Sequence, residues 1–186
     1  MKLSLNYLET IPDMFAYSCE KYGDLVRFGE KKDGEWKTYT FLEIRDIVEK
    51  IALGLNALGL KYGERFAIQS ENCKEWTIMD LACAHLGIIS VAVYPTLPAN
   101  QTQYILENSG AIGAFVSDKV QLEKIKEIKA KLPEFKNIVC LEEGQDDENW
   151  IMSYSTLIKK GEEIKANGKQ SLESFGKKIK KMISGP

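Results

Sequence analysis

Catalysis and binding need a nucleophile, an acid–base group, a metal cage or a phosphate cradle, and each leaves a recognisable spacing. The thiols are Cys19, Cys73, Cys83 and Cys140, scattered with no C-x-x-C pair. Cys19, Cys83 and Cys140 sit among apolar neighbours, which reads as buried, inert sulfur. Cys73 lies near a helix start, where a thiolate is favoured, but no base is close in sequence. His85 is the single histidine; its apolar helical context reads as a satisfied core residue rather than a base. Glu142, Glu143, Asp146, Asp147 and Glu148 place five carboxylates in seven residues. They lack the glycine and terminal glutamate spacing of a calcium loop, so a solvated acidic loop is the plainer reading. Gly54 and Gly59 have the separation of a phosphate-loop pair, yet Leu60 stands where the lysine belongs and both fall in a helical pattern. There is no G-x-G-x-x-G.

These residues have to be positioned by the elements around Leu86–Asp118, the stretch that organises the chain. The run Ile88 to Val93 is short, apolar and rich in β-branched residues, as in a strand buried on both faces. Tyr94-Pro95-Thr96-Leu97-Pro98 ends it, because two prolines cannot donate to a ladder. A short helix carrying Tyr104, Ile105 and Leu106 stops at Asn108-Ser109-Gly110, and a second buried strand spans Ile112 to Val116. Strand, helix, strand predicts a parallel βαβ unit with a right-handed connection. In such sheets ligands sit at the carboxyl ends of strands. That rule points at Ser70-Glu71-Asn72 and Tyr94-Pro95-Thr96, whose plainer role is simply to break the strands.

Upstream, Thr10-Ile11-Pro12-Asp13 reads as a helix cap, with Met14, Phe15, Cys19 and Tyr22 on one face and Gly23 at the end. Leu25 to Glu30 and Trp36 to Thr40 flank Asp33-Gly34, a hairpin turn. Thr40 and Glu43 form a second capping box, followed by Ile44, Ile47, Val48, Ile51, Leu55 and Leu58 at core-facing spacing and by Gly59 as a stop. A strand at Arg65 to Gln69 precedes a helix expected to be capped by Asn72 and Glu75 and to pack between layers. Three strands separated by helices predict a doubly wound parallel sheet. Beyond it, Asp118 and Gln121 start a helix expected to turn Val120, Leu122, Ile125 and Ile128 inward, ended by Pro133. Asn137 to Leu141 is a fourth strand. From Lys159 onward eight lysines face three glutamates. Ser171 begins a last helix with Leu172, Phe175, Ile179, Met182 and Ile183 on one side. Such a helix lies on a membrane surface or docks on protein outside this chain, and docking is the preferred reading because the apolar face is narrow.

The 186 residues suffice for one domain that buries roughly 70% of its unfolded surface. A net charge of -2 argues against a dedicated nucleic-acid binder. No run of 18 apolar residues suggests a membrane span, and MKLSLNYLETIPD lacks a signal-peptide core. A cytoplasmic location is expected.

The stretches TYTFLEI, SENCKEWTIMDLA, VYPTLPANQ, QYILENSGA and FVSD resemble, in that order, adenylate-forming (AMP-binding) acyl-CoA synthetases. GEKKDGEWKTYT, SENCKEW and VYPTLP look most like the bacterial long-chain fatty-acid–CoA ligases. The resemblance implies an α/β fold: a layered parallel sheet of βα units with flanking helices, preceded by a helix and a β-hairpin. It would be part of the large N-terminal domain of such an enzyme, a single partial domain over 1–186. Within it, 10–60 would hold the helix, hairpin and helix, 64–141 the βα core, and 142–186 the acidic loop and basic tail.

The implied activity is ATP-dependent adenylation of a fatty acid followed by transfer to the coenzyme A thiol, with Mg²⁺. That chemistry uses a Ser/Thr/Gly-rich phosphate loop, an acidic metal ligand, a ribose-binding aspartate and a lysine that meets developing charge. None of these motifs stands in this sequence; the phosphate loop would follow just beyond Ile183-Ser184-Gly185-Pro186. The resemblance therefore assigns no catalytic, cofactor-binding or metal residue here, and the segment alone is expected to bind no ATP, Mg²⁺ or CoA. Expected partners are the remainder of the ligase chain and, for the complete enzyme, fatty acid, ATP and CoA. A peripheral contact with the inner membrane face stays open. Two other readings remain: a stand-alone interaction or regulatory module on the ligase fold, and a related acyl or aryl adenylating enzyme.

Overall fold

Two threonine capping boxes set the first helices. Thr10 Oγ1 accepts from Asp13 N at 3.2 Å while the Asp13 carboxylate accepts from Thr10 N at 3.2 Å, starting α1 (Ile11–Tyr22). Thr40 and Glu43 repeat the arrangement at the start of α2 (Phe41–Ala57). Between them β1 (Val26–Lys32) and β2 (Glu35–Thr40) form an antiparallel hairpin. Its turn places Asp33 at φ 52° and Gly34 at φ 87°, as a tight hairpin demands. The computed structural model describes residues 9–147, 150–168 and 170–184.

The rest builds one five-stranded sheet. Its strands are β3 (Arg65–Gln69), β4 (Ile89–Val93), β5 (Ala111–Val116), β6 (Asn137–Cys140) and β7 (Ile151–Ser153), in the order β4-β3-β5-β6-β7, every pair parallel. The connecting helices are α3 (Lys74–Leu86), α4 (Ala99–Ser109) and α5 (Lys119–Ile128); α6 (Tyr154–Ala166) and α7 (Leu172–Ser184) follow β7. Alternate strand residues separate two cores. Phe66, Ile68, Phe115 and Val139 face α1, α2, α3, α6 and α7. Ala67, Ala114, Val116, Ile138 and Cys140 face α4 and α5. The result is a three-layer α/β/α sandwich with the hairpin attached, the fold class the sequence implies.

Several local expectations change. β4 is an edge strand rather than one buried on both faces, and Ile89 is exposed. Its apolar run is real, but burial depends on strand order, and α3 returns the chain to the outside of β3. β4 and β5 are parallel but not neighbours, since β3 lies between them. Met14, Tyr22 and Val120 are exposed, off the faces that Phe15, Leu122 and Ile125 bury. Cys73, not Asn72, is the N-cap of α3. Neither β7 nor α6 carries a clear local signal. β7 is three residues long, and the apolar positions of α6 (Tyr154, Leu157, Ile158) are too few to stand out as a face.

The last helix is a further correction. α7, started by Ser171 Oγ accepting from Ser174 N at 3.2 Å, docks most of its apolar side on its own chain and leaves Met182 and Ile183 exposed. Leu172, Phe175 and Ile179 are buried. Glu49 accepts from Leu172 N at 3.0 Å, and the pairs Arg45–Glu173 (2.7 Å) and Lys180–Asp13 (3.0 Å) tie the helix to α2 and α1. No helix among the described residues is long and apolar enough to cross a membrane.

Candidate functional site

The chain starts the sheet at β3, steps outward to β4, then crosses back over β3 to β5 and continues the other way. The crevice of a doubly wound sheet therefore opens at the carboxyl ends of β3 and β5, where the direction of winding reverses. Gln69, the last residue of β3, is buried there and donates from Nε2 to Thr102 Oγ1 at 3.1 Å. Its Oε1 has no partner among the described residues. Ser117, just after β5, donates from its backbone N to Gln69 O at 3.3 Å, and its hydroxyl donates to Asp118 at 2.6 Å and accepts from Glu71 N at 3.4 Å.

Beside this crevice the two stretches singled out from sequence come together. Ser70, Glu71 and Asn72 after β3 and Tyr94, Pro95 and Thr96 after β4 line one cleft of about 640 Å³, with Trp76 from α3 as a wall. The loop after β4 is fixed by Lys124 of α5, whose ammonium donates to Pro95 O at 2.5 Å and to Gln121 Oε1 at 3.0 Å. Ser117 and Thr102 carry no signal in the sequence, and Asp118 reads there only as a helix start. Only the strand order shows that β5, rather than β4, faces β3 across the crevice.

The chemistry of the donors decides what this edge holds. The N-terminus of α5 aims at the crevice mouth, but two of its first amides are already met: Asp118 accepts from Gln121 N at 3.0 Å and Glu142 accepts from Lys119 N at 2.8 Å. Two carboxylates occupy the place a phosphate would take. Among the described residues the cleft is lined by one carboxylate, Glu71, and by no lysine or arginine. A nucleoside triphosphate does not fit this residue set. Removing one of the two caps has a defined cost. Asp118→Ala should lower stability by about 1 kcal/mol; an unchanged urea midpoint would show that Glu142 alone suffices.

The other candidates resolve as structure rather than chemistry. Gly54 packs in the α2–α6 crossing, where an added Cβ would lie 2.7 Å from Leu157 Cδ1, and Gly59 ends α2 at φ 85°. His85 is buried edge-on to Phe15, its Nδ1 2.7 Å from Leu81 O, and burial pulls its imidazole below the usual range. Cys19, Cys83 and Cys140 are buried. Burial pushes the Cys83 thiol up to about 12 and Cys140 to about 11. Cys73, half-buried 3.4 Å from Ser70 Oγ, is raised by burial too, so none is a ready thiolate.

The acidic loop works as a set of caps. Besides Glu142, Asp146 accepts from Ser153 N at 2.9 Å and Glu143 from Ser155 Oγ at 2.7 Å. Among the described residues no three His, Cys, Asp or Glu are grouped to hold a metal; Glu148 lies outside them. Tyr154, by contrast, is a buried phenol whose hydroxyl has no partner among the described residues. Burial raises its pKa. Tyr154→Phe removes that unmet group and should stabilise the fold by about 1 kcal/mol; a loss of stability would reveal a partner.

A doubly wound α/β domain with a crevice and a cleft at the carboxyl edge of its sheet belongs to the class of parallel-sheet folds whose ligands sit at strand ends. The family described as AMP-binding enzyme matches residues 15–173. The chain belongs to that family, that of the AMP-binding acyl-CoA synthetases. Over 138 residues it is 33% identical to the long-chain-fatty-acid–CoA ligase heimdall of Drosophila melanogaster, covering 72% of this chain and 20% of that one. It is 30% identical over 156 residues to the long-chain-fatty-acid–CoA ligase ACSBG1 of Rattus norvegicus, covering 83% and 22%. Its fold matches the anthranilate CoA ligase AuaEII, solved with anthranoyl-AMP, at TM-score 0.72 and 21% identity, over 81% of this chain and 28% of that one. The chain thus spans about a fifth of the length of the curated relatives it matches.

Proposed function

We propose that this chain is the N-terminal portion of an ATP-dependent long-chain fatty-acid–CoA ligase, inactive by itself. In the complete enzyme the substrates are fatty acid, ATP and CoA, with Mg²⁺; the principal partner of this segment is the rest of the ligase chain. The segment acts as one partial domain, 1–186, and works in the cytoplasm. The observation that carries this reading is the carboxyl edge of the sheet. It presents a crevice and a cleft of about 640 Å³, while the helix end beside them is filled by Asp118 and Glu142. The cleft supplies shape for a ligand; phosphate-binding groups come from elsewhere. Titrating Mg-ATP into the chain should give no binding heat, and the chain should catalyse no pyrophosphate exchange with a long-chain fatty acid. Micromolar binding, or a measurable exchange rate, would overturn the proposal.

A second reading, the stand-alone module, gains support from α7. A cut domain would expose the apolar side of its last helix; Phe175 and Ile179 are buried on this chain, while Met182 on the same side stays 44% exposed. The open β4 edge pulls the other way, because an unpaired edge with Ile89 exposed invites further pairing. Sedimentation separates the two. A stable monomer at high concentration favours the module, and concentration-dependent association favours the scaffold piece.

A further inference from the structure

We infer that the hollow enclosed by α1, α2, α3 and α7 is a binding site for a small neutral molecule with one ring and one hydroxyl, a phenol in chemical class. The hollow holds about 250 Å³. Pro12 and Phe15 of α1 and Leu172 and Gly176 of α7 give it apolar walls, and His85 of α3 lines it as well. An apolar cavity of roughly 150 Å³ already admits benzene, so this one has room for a substituted ring. Gly176 stands inside α7, where glycine forfeits helix preference. No close contact demands it, since an added Cβ would meet Pro12 Cβ at 3.9 Å and nothing nearer. What the glycine preserves is the hollow.

His85 supplies the polar handle. It is 3% exposed, and its Nδ1 lies 2.7 Å from Leu81 O, which can only accept. Nδ1 therefore carries the proton and Nε2 presents a lone pair. No group among the described residues bonds to Nε2. A ligand hydroxyl can donate to it, while the Phe15 ring, edge-on to His85 at 5.8 Å, offers the ligand ring a partner. The charges at the mouth favour a neutral guest. Asp13 pairs with Lys180 at 3.0 Å and Glu173 with Arg45 at 2.7 Å, and Lys177 is exposed to water. An anion would lie against the two carboxylates and a cation against Arg45 and Lys180, whereas a neutral ring disturbs neither pair. His85 also borders a second hollow on the other flank of α7, but Gly176 lines the first alone, so a substitution there tells them apart. The site shares no residue with the cleft at the carboxyl edge, and the inference does not depend on the ligase reading.

Phenol itself is the probe, followed by NMR of the intact chain. His85 is the single histidine, so one imidazole reports on the site. Phenol should shift its Nε2 signal saturably at about millimolar concentration. Toluene fills the same space but donates nothing, and should bind about five-fold more weakly. Benzoate, which would bury a charge, should not displace phenol. Gly176→Leu puts a side chain into the hollow and should abolish the shift, with a circular-dichroism melt to establish that the fold is intact. The three probes on the parent chain decide the matter even where that variant fails to fold. No saturable shift with phenol, equal binding of toluene, displacement by benzoate, or a folded Gly176→Leu variant that binds as the parent does would overturn the assignment.

Discussion

Gly161→Ala is expected to cost about 3 kcal/mol or more, although alanine is the better helix former. The reason is the α2–α6 crossing. A Cβ on Gly161 would overlap the Lys50 carbonyl oxygen and lie 2.6 Å from the carbonyl carbon. Backbone stands on both sides of the contact, so no side chain can swing aside. Gly54 faces Leu157 one turn away, and a Cβ there would lie 2.8 Å from Leu157 O. The paired glycines let the two helices approach closely enough for an ion-pair ladder to close across them. Lys50 bridges Asp46 at 2.9 Å and Glu162 at 3.0 Å, and Lys165 bridges Asp46 at 2.8 Å and Glu49 at 2.6 Å. Pushing the helices apart loosens both the packing and the ladder. The control is Gly176→Ala in α7, where the nearest atom to an added Cβ is Pro12 Cβ at 3.9 Å. There the helix preference acts alone, and stability should rise by about 0.5–1 kcal/mol. Urea denaturation of both variants decides the matter. The same substitution should move the midpoint in opposite directions, and a neutral Gly161→Ala would mean that the crossing is not tight.

What made elements legible in the sequence was local chemistry. Thr10 with Asp13, Thr40 with Glu43, Asp33-Gly34 and Gly110 each act within four residues, so their roles are written in the chain itself. What was not legible depended on long-range order. The exposure of β4 and the identity of the crevice follow from which strand lies beside which, and the covering of α7 follows from its packing on α2 and α3. Ile88 to Val93 reads the same whether the strand is central or at an edge. α6 was hidden for a related reason. Gly161 looks like a helix breaker until Lys50, more than a hundred residues away, is seen against it. The cleft stood between these cases. Ser70 to Asn72 and Tyr94 to Thr96 were found by a rule about strand ends, and they do line one cleft, but Ser117 and Asp118 needed the topology.

Lys74→Met is expected to destabilise the fold by about 2 kcal/mol at neutral pH, chiefly by detaching the hairpin. Lys74, at the first turn of α3, reaches Glu30 of β1 at 2.7 Å and Glu75 at 2.7 Å, and lies 4.6 Å from the centre of the Tyr39 ring of β2. Tyr39 in turn donates to Glu30 at 2.7 Å. The lysine side chain is 13% exposed and Glu75 12%, so losing the cation leaves a largely buried carboxylate unpaired. Glu30 is 38% exposed, and water offsets part of the loss there, which keeps the figure below that of a fully buried pair. The pH dependence follows from the two shifts. Burial pulls the Lys74 ammonium down, but hydrogen bonds to Glu30 and Glu75 outweigh it and hold the pKa well above 10.5. Its contribution is complete below 10.5 and fades only as pH rises through the higher folded value. The hydrogen bond from Lys74 holds the Glu30 carboxyl below its ordinary 4.5. That contribution is complete above 4.5 and is lost as pH falls through the lowered value. The gap between the parent and Lys74→Met should therefore stay level between these limits and close in acid. Urea midpoints measured across that range test it. A gap that persists in acid would mean the lysine acts through its aliphatic stem against Tyr39 rather than through its charge.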